Sequence, residues 1–362
     1  MWITVGLYLN NMKNITIGKR KIGEGQKPFI LAEAGVNHNS SLDRAKELIR
    51  QAASSGASGI KFQTYTADEL VVKGTPKFWN WDGDSDKKSQ YDAYKAIGGF
   101  SYKHYPALMK CCKDNDIEFL STPFSFEAAD FLNELGMKAF KVASSDMSHL
   151  PYLQHIARFQ KPILLSTGAA TMEEIVEAVQ TIEKEGNDQI IILHCTLCYP
   201  TSSEDANLNL IGVLQKKFPM YPVGISDHTL GVFPACVALA AGAKVLEKHF
   251  TVDKTLGESA DHWLSIDPPE LQQITCMAND IHHLMGSNEK KVFKCEQETR
   301  KYDKRSCVSK TMIHKGTVLK ASHIAYKRPG TGVWPSMVGQ IVGKKAIVDI
   351  PVDVTLQHSM FK

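Results

Sequence analysis

The sequence predicts an α/β fold, a (β/α)8 TIM barrel followed by a small β-rich C-terminal domain. From Pro28 to about Met285, short β-branched apolar runs alternate with longer helical patterns. Eight such runs fall within roughly 250 residues, the number and spacing of a barrel. A doubly wound open sheet is the main rival, but it usually has fewer strands in this length. Beyond Gly286 the pattern changes to short β runs broken by glycine turns, the sign of a second domain.

Met1–Asn11 is mildly apolar without the basic start of a signal peptide, and Met12 opens MKNITIG like an ordinary beginning. Residues 1–14 therefore read as an N-terminal extension and 15–285 as the barrel. Its strand runs are FILAE (29–33), GIKFQT (59–64), IEFLST (117–122), AFKVAS (139–144), PILLST (162–167), QIIILHCT (189–196), PVGISD (222–227) and KVLEKHF (244–250). Helical patterns such as SLDRAKELIRQAASSG and TMEEIVEAVQTIEKEG lie between them, each closing on a glycine. The connection from Tyr65 to Gly99 is long, as functional or lid-like loops are. Within it Trp79, Trp81, Tyr91 and Tyr94 either pack the loop down or meet a substrate, and packing is favoured. Residues 286–305 are charged and polar and read as a linker. Residues 306–362 form the small mixed domain, whose thin core implies docking against another surface.

A chain of 362 residues suits one large domain and one small one, and 43% apolar with 22% charged residues is ordinary globular composition. The 42 basic and 39 acidic residues nearly cancel and no basic block occurs, so neither nucleic-acid nor membrane-surface binding is expected. Anionic substrates remain open, because a small pocket needs only a few cations. No run approaches the ~20 apolar residues that cross a bilayer. Eight cysteines are scattered through a chain too long to need disulfide staples, which favours a reducing cytoplasm. Cys195 and Cys198 form a CxxC, yet no second pair or thioredoxin-like context accompanies it, so they read as small residues at a strand end.

Strands of a parallel barrel are buried and should be almost purely aliphatic. Here nearly every run ends in polar groups: Glu33; Lys61 and Gln63; Thr122; Lys141 and Ser144; Ser166; His194 and Thr196; Ser226, Asp227 and His228; Glu247, Lys248 and His249. These are the C-terminal ends, where barrel enzymes place their sites, and a purely structural barrel would not carry so much buried polarity. Lys61 and Lys141 sit inside apolar runs. Structural salt bridges, for example with Glu33, are one reading, and a Schiff-base lysine is a minor one. A phosphate or carboxylate cradle helped by Thr122, Ser144 and Ser166 is favoured. His228 and His249 end consecutive strands, where they serve either as hydrogen-bonded structural residues or as ligands for a borderline divalent metal such as Mn²⁺. Asp261, in ESADHW, adds a carboxylate for proton transfer.

LAEAGVNHN, GIKFQTY, FLSTPF, FKVASSD, LLSTGAAT, LHCTLCYPT, GISDHTLG, LEKHFT and ADHW, in this order and spacing, resemble the sialic acid synthase family, and KRPGTG resembles the antifreeze-like (SAF) domain that ends bacterial members. The resemblance covers residues 15–362. It implies a transferase that condenses phosphoenolpyruvate with an N-acetylmannosamine-type aldehyde, giving a nine-carbon 2-keto sugar acid and phosphate. It places Glu33 in the active site, and Lys61, Thr122, Lys141, Ser144 and Ser166 around phosphoenolpyruvate. His228 and His249 would bind Mn²⁺ or Mg²⁺, and Gln63, Tyr199 and Asp261 would contact the sugar. Arg328 would reach the N-acetyl group from a neighbouring subunit of a domain-swapped homodimer. Asp146 stands where some members have glutamate, and Leu197 and Cys198 where some have a polar residue. Relatives that use 2,4-diacetamido-trideoxy hexoses make legionaminic or pseudaminic acids, and others use a phosphorylated mannosamine. Synthases of shorter sugar acids lack the SAF segment. A non-catalytic carbohydrate- or ice-binding protein would leave the polar strand ends without a purpose.

Overall fold

The computed structural model describes residues 12–77, 79, 89–97, 100–256, 261–287 and 289–362. The expected extension Met1–Asn11 and Trp81 lie outside these described residues. The chain divides into two compact units, the first ending at Gly286 and the second spanning Ser287–Lys362.

The first unit opens with a hairpin of β1 (Ile15–Ile17) and β2 (Arg20–Ile22), antiparallel with Ile15 opposite Ile22. Its turn needs Gly18, whose φ is +56° and where any side chain would run into the Glu118 carboxylate. Eight parallel strands follow: β3 (Phe29–Gly35), β4 (Gly59–Thr64), β5 (Glu118–Pro123), β6 (Phe140–Val142), β7 (Ile163–Ser166), β8 (Ile190–Cys195), β9 (Val223–Asp227) and β10 (Val245–His249). They occur where the eight sequence runs placed them. Backbone pairing runs β5-β4-β3-β10-β9-β8-β7-β6, and β5 lies beside β6, so the sheet nearly closes into a barrel. Helices alternate with the strands. Two of them, Met172–Lys184 and Pro268–Met285, begin with capping boxes built by Thr171 with Glu174 and Asp267 with Glu270.

The apolar core falls into two layers because successive strand residues face opposite ways. Ile30, Ile60, Phe140, Ile192, Ile225 and Leu246 belong to the larger layer, between strands and helices. Phe29, Leu31, Leu120, Leu164, Ile191 and Val245 fill the lower interior of the barrel together with Ile15, Ile17 and Ile22 of the hairpin. The hairpin therefore closes the barrel floor. Its neighbours agree: the Lys19 backbone N–H donates to Glu118 at the start of β5, at 3.0 Å, and the Lys13 N–H to the Met220 carbonyl just before β9, also at 3.0 Å.

The long connection after β4 holds short helices, Ala67–Leu70 and Gln90–Ile97. Tyr94 packs edge-on against Tyr65 at 5.8 Å between ring centroids and against Trp79 at 5.7 Å, so these rings pack the loop down. Tyr91 instead donates to the Asp68 carboxylate at 2.9 Å on the surface.

In the second unit, β11 (Ser306–Ser309) pairs antiparallel with β12 (Ile324–Lys327). Cys307, Ile313, Leu319, Val333, Ile341 and Leu356 form its own small core. The stretch 286–305, read from sequence as a linker, includes the short helix Gln297–Tyr302, and the Arg300 guanidinium lies 4.8 Å above the Trp334 ring. Among the described residues no helix is long and apolar enough to cross a membrane.

Candidate active site

Five of the barrel strands that line the floor with an aliphatic residue present a polar one two positions later, on the same face, whereas β8 continues from Ile191 to Leu193. On β3 Leu31 gives way to Glu33, on β5 Leu120 to Thr122, on β6 Ala139 to Lys141, on β7 Leu164 to Ser166, and on β10 Val245 to Glu247 and then His249. The interior thus turns from apolar to charged about halfway up. The charged layer is almost wholly shielded from solvent.

Its centre is Glu247, which sequence reasoning did not single out. Its Oε1 lies 3.3 Å from Lys141 Nζ and 3.7 Å from Lys61 Nζ, and accepts from Ser226 Oγ at 3.3 Å. Lys61 Nζ also pairs with Glu33 Oε2 at 2.8 Å and donates to Thr122 Oγ1 at 2.8 Å. Gln63 Nε2 completes the chain by donating to Glu33 Oε1 at 3.0 Å. Burial alone would lower the Lys61 pKa and raise that of Glu247. The mutual attraction outweighs it, so Lys61 is raised and Glu247 held well below the usual carboxylate range. Two ammonium groups, Lys61 and Lys141, thus converge on Glu247, with Glu33 as the second carboxylate of the layer, which gathers charge-assisted donors for an anion around a cluster whose own charges balance. The alternation in LEKHF, with Glu247 and His249 on one face, was the available signal for this residue.

One layer up, the His228 and His249 rings stand 5.4 Å apart between centroids. Tyr199 packs against His228 at 4.1 Å and edge-on to His249 at 5.8 Å. Burial, reinforced by the neighbouring His249, pushes the His228 pKa down to about 3, so its ring is neutral. His228 Nδ1 lies 3.1 Å from the Thr196 carbonyl, which assigns the proton to Nδ1 and leaves Nε2 with a free lone pair. His249 Nδ1 is 3.4 Å from Asp261 Oδ2. Burial opposes charge on both, but the pairing raises the histidine and lowers the aspartate.

Two imidazoles this close, one held neutral with a lone pair to give, fit a borderline divalent ion. Among the described residues no group of three or more His, Cys, Asp or Glu side chains converges as a metal cluster, so water or substrate oxygens would complete its shell.

The remaining predicted residues divide. Ser166 Oγ is buried in the charged layer, and Ser144 Oγ accepts the Gly168 N–H at 2.9 Å beside Cys195. A side chain at Gly35 would meet Glu33, Asp261 and Gln63 within 3.6 Å, which brings the sugar-side candidates together. Arg328 lies in the second unit, where it pairs with Asp303 at 2.5 Å. His194, Asp227 and Lys248, counted among the polar strand ends, sit in register with the outer-layer residues Ile192, Ile225 and Leu246 and so face the helices. Cys195 is buried 3.8 Å from His228 Nδ1, Cys198 is exposed, and all eight cysteines are free.

Residues 48–290 match the NeuB family and residues 304–362 the SAF domain. The chain is 38% identical over 344 residues to the N,N'-diacetyllegionaminic acid synthase of Legionella pneumophila, covering 94% of this chain and 96% of that protein. It is 34% identical over 340 residues to human N-acetylneuraminate-9-phosphate synthase, covering 93% of each. The crystal structure of the N-acetylneuraminic acid (sialic acid) synthetase of Leptospira borgpetersenii, in complex with citrate, matches with a TM-score of 0.71 at 33% identity, over 79% of this chain and 95% of that one.

Proposed function

Given that the chain belongs to the NeuB family, we propose that it condenses phosphoenolpyruvate with an N-acetylated amino sugar, N-acetylmannosamine or a related 2-acetamido hexose, to a nine-carbon 2-keto sugar acid and phosphate. The observation that carries this reading is the stacking of two chemistries in one interior. Glu247, which faces both Lys61 and Lys141, stands two residues below His249 on β10, and His249 pairs with the His228 ring, which supports an anion seat beneath a metal site.

Lys61 and Lys141 neutralise the phosphate and carboxylate of the enol ester, and Thr122, Ser144 and Ser166 donate hydroxyl hydrogen bonds to its oxygens. His228 and His249 would hold Mn²⁺ or Mg²⁺, which supplies Lewis-acid polarisation of the sugar aldehyde. Gln63, Tyr199 and Asp261 orient the sugar so that its aldehyde carbon faces C3 of the enol. The new C–C bond forms between these carbons, and the aldehyde oxygen takes up a proton. Water adds its oxygen to C2 and loses a proton, and the C2–O bond to phosphate then breaks with its electron pair leaving on phosphate, while the C2 hydroxyl gives up its remaining proton to become the keto group. Glu33 and Asp261, both beside Gln63, are the groups within reach to hold the protons that move.

Arg328 would contact the N-acetyl group from a second copy in a domain-swapped homodimer. Charge supports such docking: residues 287–362 carry 15 Lys and Arg against 6 Asp and Glu, whereas residues 1–286 carry 27 against 33. A second sugar reading, a 2,4-diacetamido-trideoxy hexose, is favoured by the 38% identity to the Legionella synthase against 34% to the human one.

The test is phosphate release from phosphoenolpyruvate with Mn²⁺ and a panel of both sugar types. Release that depends on one sugar type is expected, and His228→Ala should abolish it and weaken Mn²⁺ binding. Silence with every sugar, by protein that still binds glycans, would favour a binding module instead.

A further inference from the structure

The outer wall of the barrel carries a charged pair where its own pattern calls for aliphatic residues. Below it on the same outward face lie Val223 and Ile225 on β9 and Leu246 on β10, all packed against helices. At the top of that face stand Asp227 and Lys248, each only 3% exposed. They are register partners across the β9–β10 ladder. Lys248 Nζ donates to Asp227 Oδ2 at 2.6 Å and to the Thr229 carbonyl at 2.7 Å. Asp227 Oδ1 in turn accepts the Thr229 N–H at 2.9 Å and its hydroxyl at 2.7 Å. Every acceptor is thus used, and none faces the interior where substrates would lie.

A buried ion pair of this kind seldom adds stability over well-packed apolar residues, so its presence calls for another purpose. Sequence position supplies one. Asp227 precedes His228 and Lys248 precedes His249, and Thr229 follows His228. The backbone of His228 is therefore held on both sides, by the Asp227 carboxylate and by Thr229, and the same ammonium group ties that loop to the strand bearing His249. A third contact, from the Thr201 N–H to the His228 carbonyl at 2.9 Å, fixes the same segment.

We propose that Lys248, Asp227 and Thr229 form a clamp that sets the separation and orientation of the two imidazoles, making Lys248 and Asp227 positioning residues for the divalent ion. The clamp rests on the reading of His228 and His249 as its ligands. Outer partners of metal ligands typically change affinity by about 10- to 100-fold when lost.

The decisive variant is the double replacement Lys248→Met with Asp227→Leu, which removes both charges and leaves no unpaired one. Mn²⁺ affinity of the full chain is measured by calorimetry and by electron paramagnetic resonance, beside thermal unfolding of the metal-free protein. A clamp predicts unchanged or raised thermal stability together with Mn²⁺ binding weaker by about 10-fold or more, and Lys248→Arg retaining most of the affinity. A merely structural pair predicts wild-type Mn²⁺ affinity in the double variant, which overturns the clamp. The His228→Ala control separates the two levels. Wild-type affinity in that control would overturn the ligand assignment and the clamp with it, whereas lost affinity there with full affinity in the double variant would overturn the clamp alone. If the double variant does not fold, Thr229→Val, which removes the hydroxyl's bonds to Asp227 and Lys248 and leaves both charges in place, is measured in the same way. Mn²⁺ affinity equal to wild type in that variant overturns the clamp, and affinity weakened there while Lys248→Arg retains it supports it.

Discussion

Single side chains in this protein take their properties from burial and neighbours more than from type. Asp146, in the turn after β6, has a buried Oδ2 without a hydrogen-bond partner, and burial raises its pKa to about 6. A carboxyl raised on folding binds its proton more tightly in the native state, so its contribution to stability falls as pH rises from about 4 to about 6 and stays low above that. Asp146→Asn is therefore expected to stabilise the protein by roughly 1–3 kcal/mol at pH 7.5 and to do little at pH 4. Urea midpoints at the two values check this, and an equal shift at both would contradict it. At this scale the sequence was legible where a residue type is rare in its setting. Lys61 and Lys141 stood out inside aliphatic runs, and His228 and His249 at adjacent strand ends. Glu247 escaped because a glutamate beside a lysine and a histidine resembles an ordinary polar strand end. His194, Asp227 and Lys248 were counted with the rim because polarity alone does not tell which face a residue occupies. Only alternation with Val245 and Leu246 separates Glu247 from Lys248.

At the scale of elements, the eight barrel strands were readable because each is a short aliphatic run bounded by turn residues, with a helical pattern before the next. The β1–β2 hairpin was not, since three-residue strands are too short to display alternation. Its packing is nonetheless decisive for the lower interior: Ile17 is fully buried there among Ile15, Ile22 and the floor residues of the barrel. Ile17→Ala should cost about 2–5 kcal/mol of stability, by lost transfer energy and the cavity left behind. Its kcat at saturating substrate should match wild type at a temperature where both are folded, because the charged layer lies above the floor residues. A fall in kcat without a fall in unfolding midpoint would show that the hairpin acts on the site. The long loop after β4 was legible in outline only. Its aromatic residues announced packing, which Tyr65, Trp79 and Tyr94 carry out, but no periodicity indicated which ring would meet which.

For the whole molecule, composition limited the reading to a two-part globular chain, and neither the near-neutral total charge nor the chain length foretold that the second unit is basic and the first acidic. The feature with the widest consequence is the sealed floor. Because the hairpin stops one end, the interior is closed below, and on the proposed reading its contents would be stacked: the lysines and the anion at the bottom, the imidazole pair and the sugar above. Whatever occupies the upper storey bars the way to the lower one. On that reading phosphoenolpyruvate would enter before the sugar, like the first coin in a narrow tube, and a sugar that arrives early would be a cork. Steady-state kinetics should show ordered addition, with a non-reactive sugar analogue uncompetitive against phosphoenolpyruvate at low dose and substrate inhibition by the sugar at high dose.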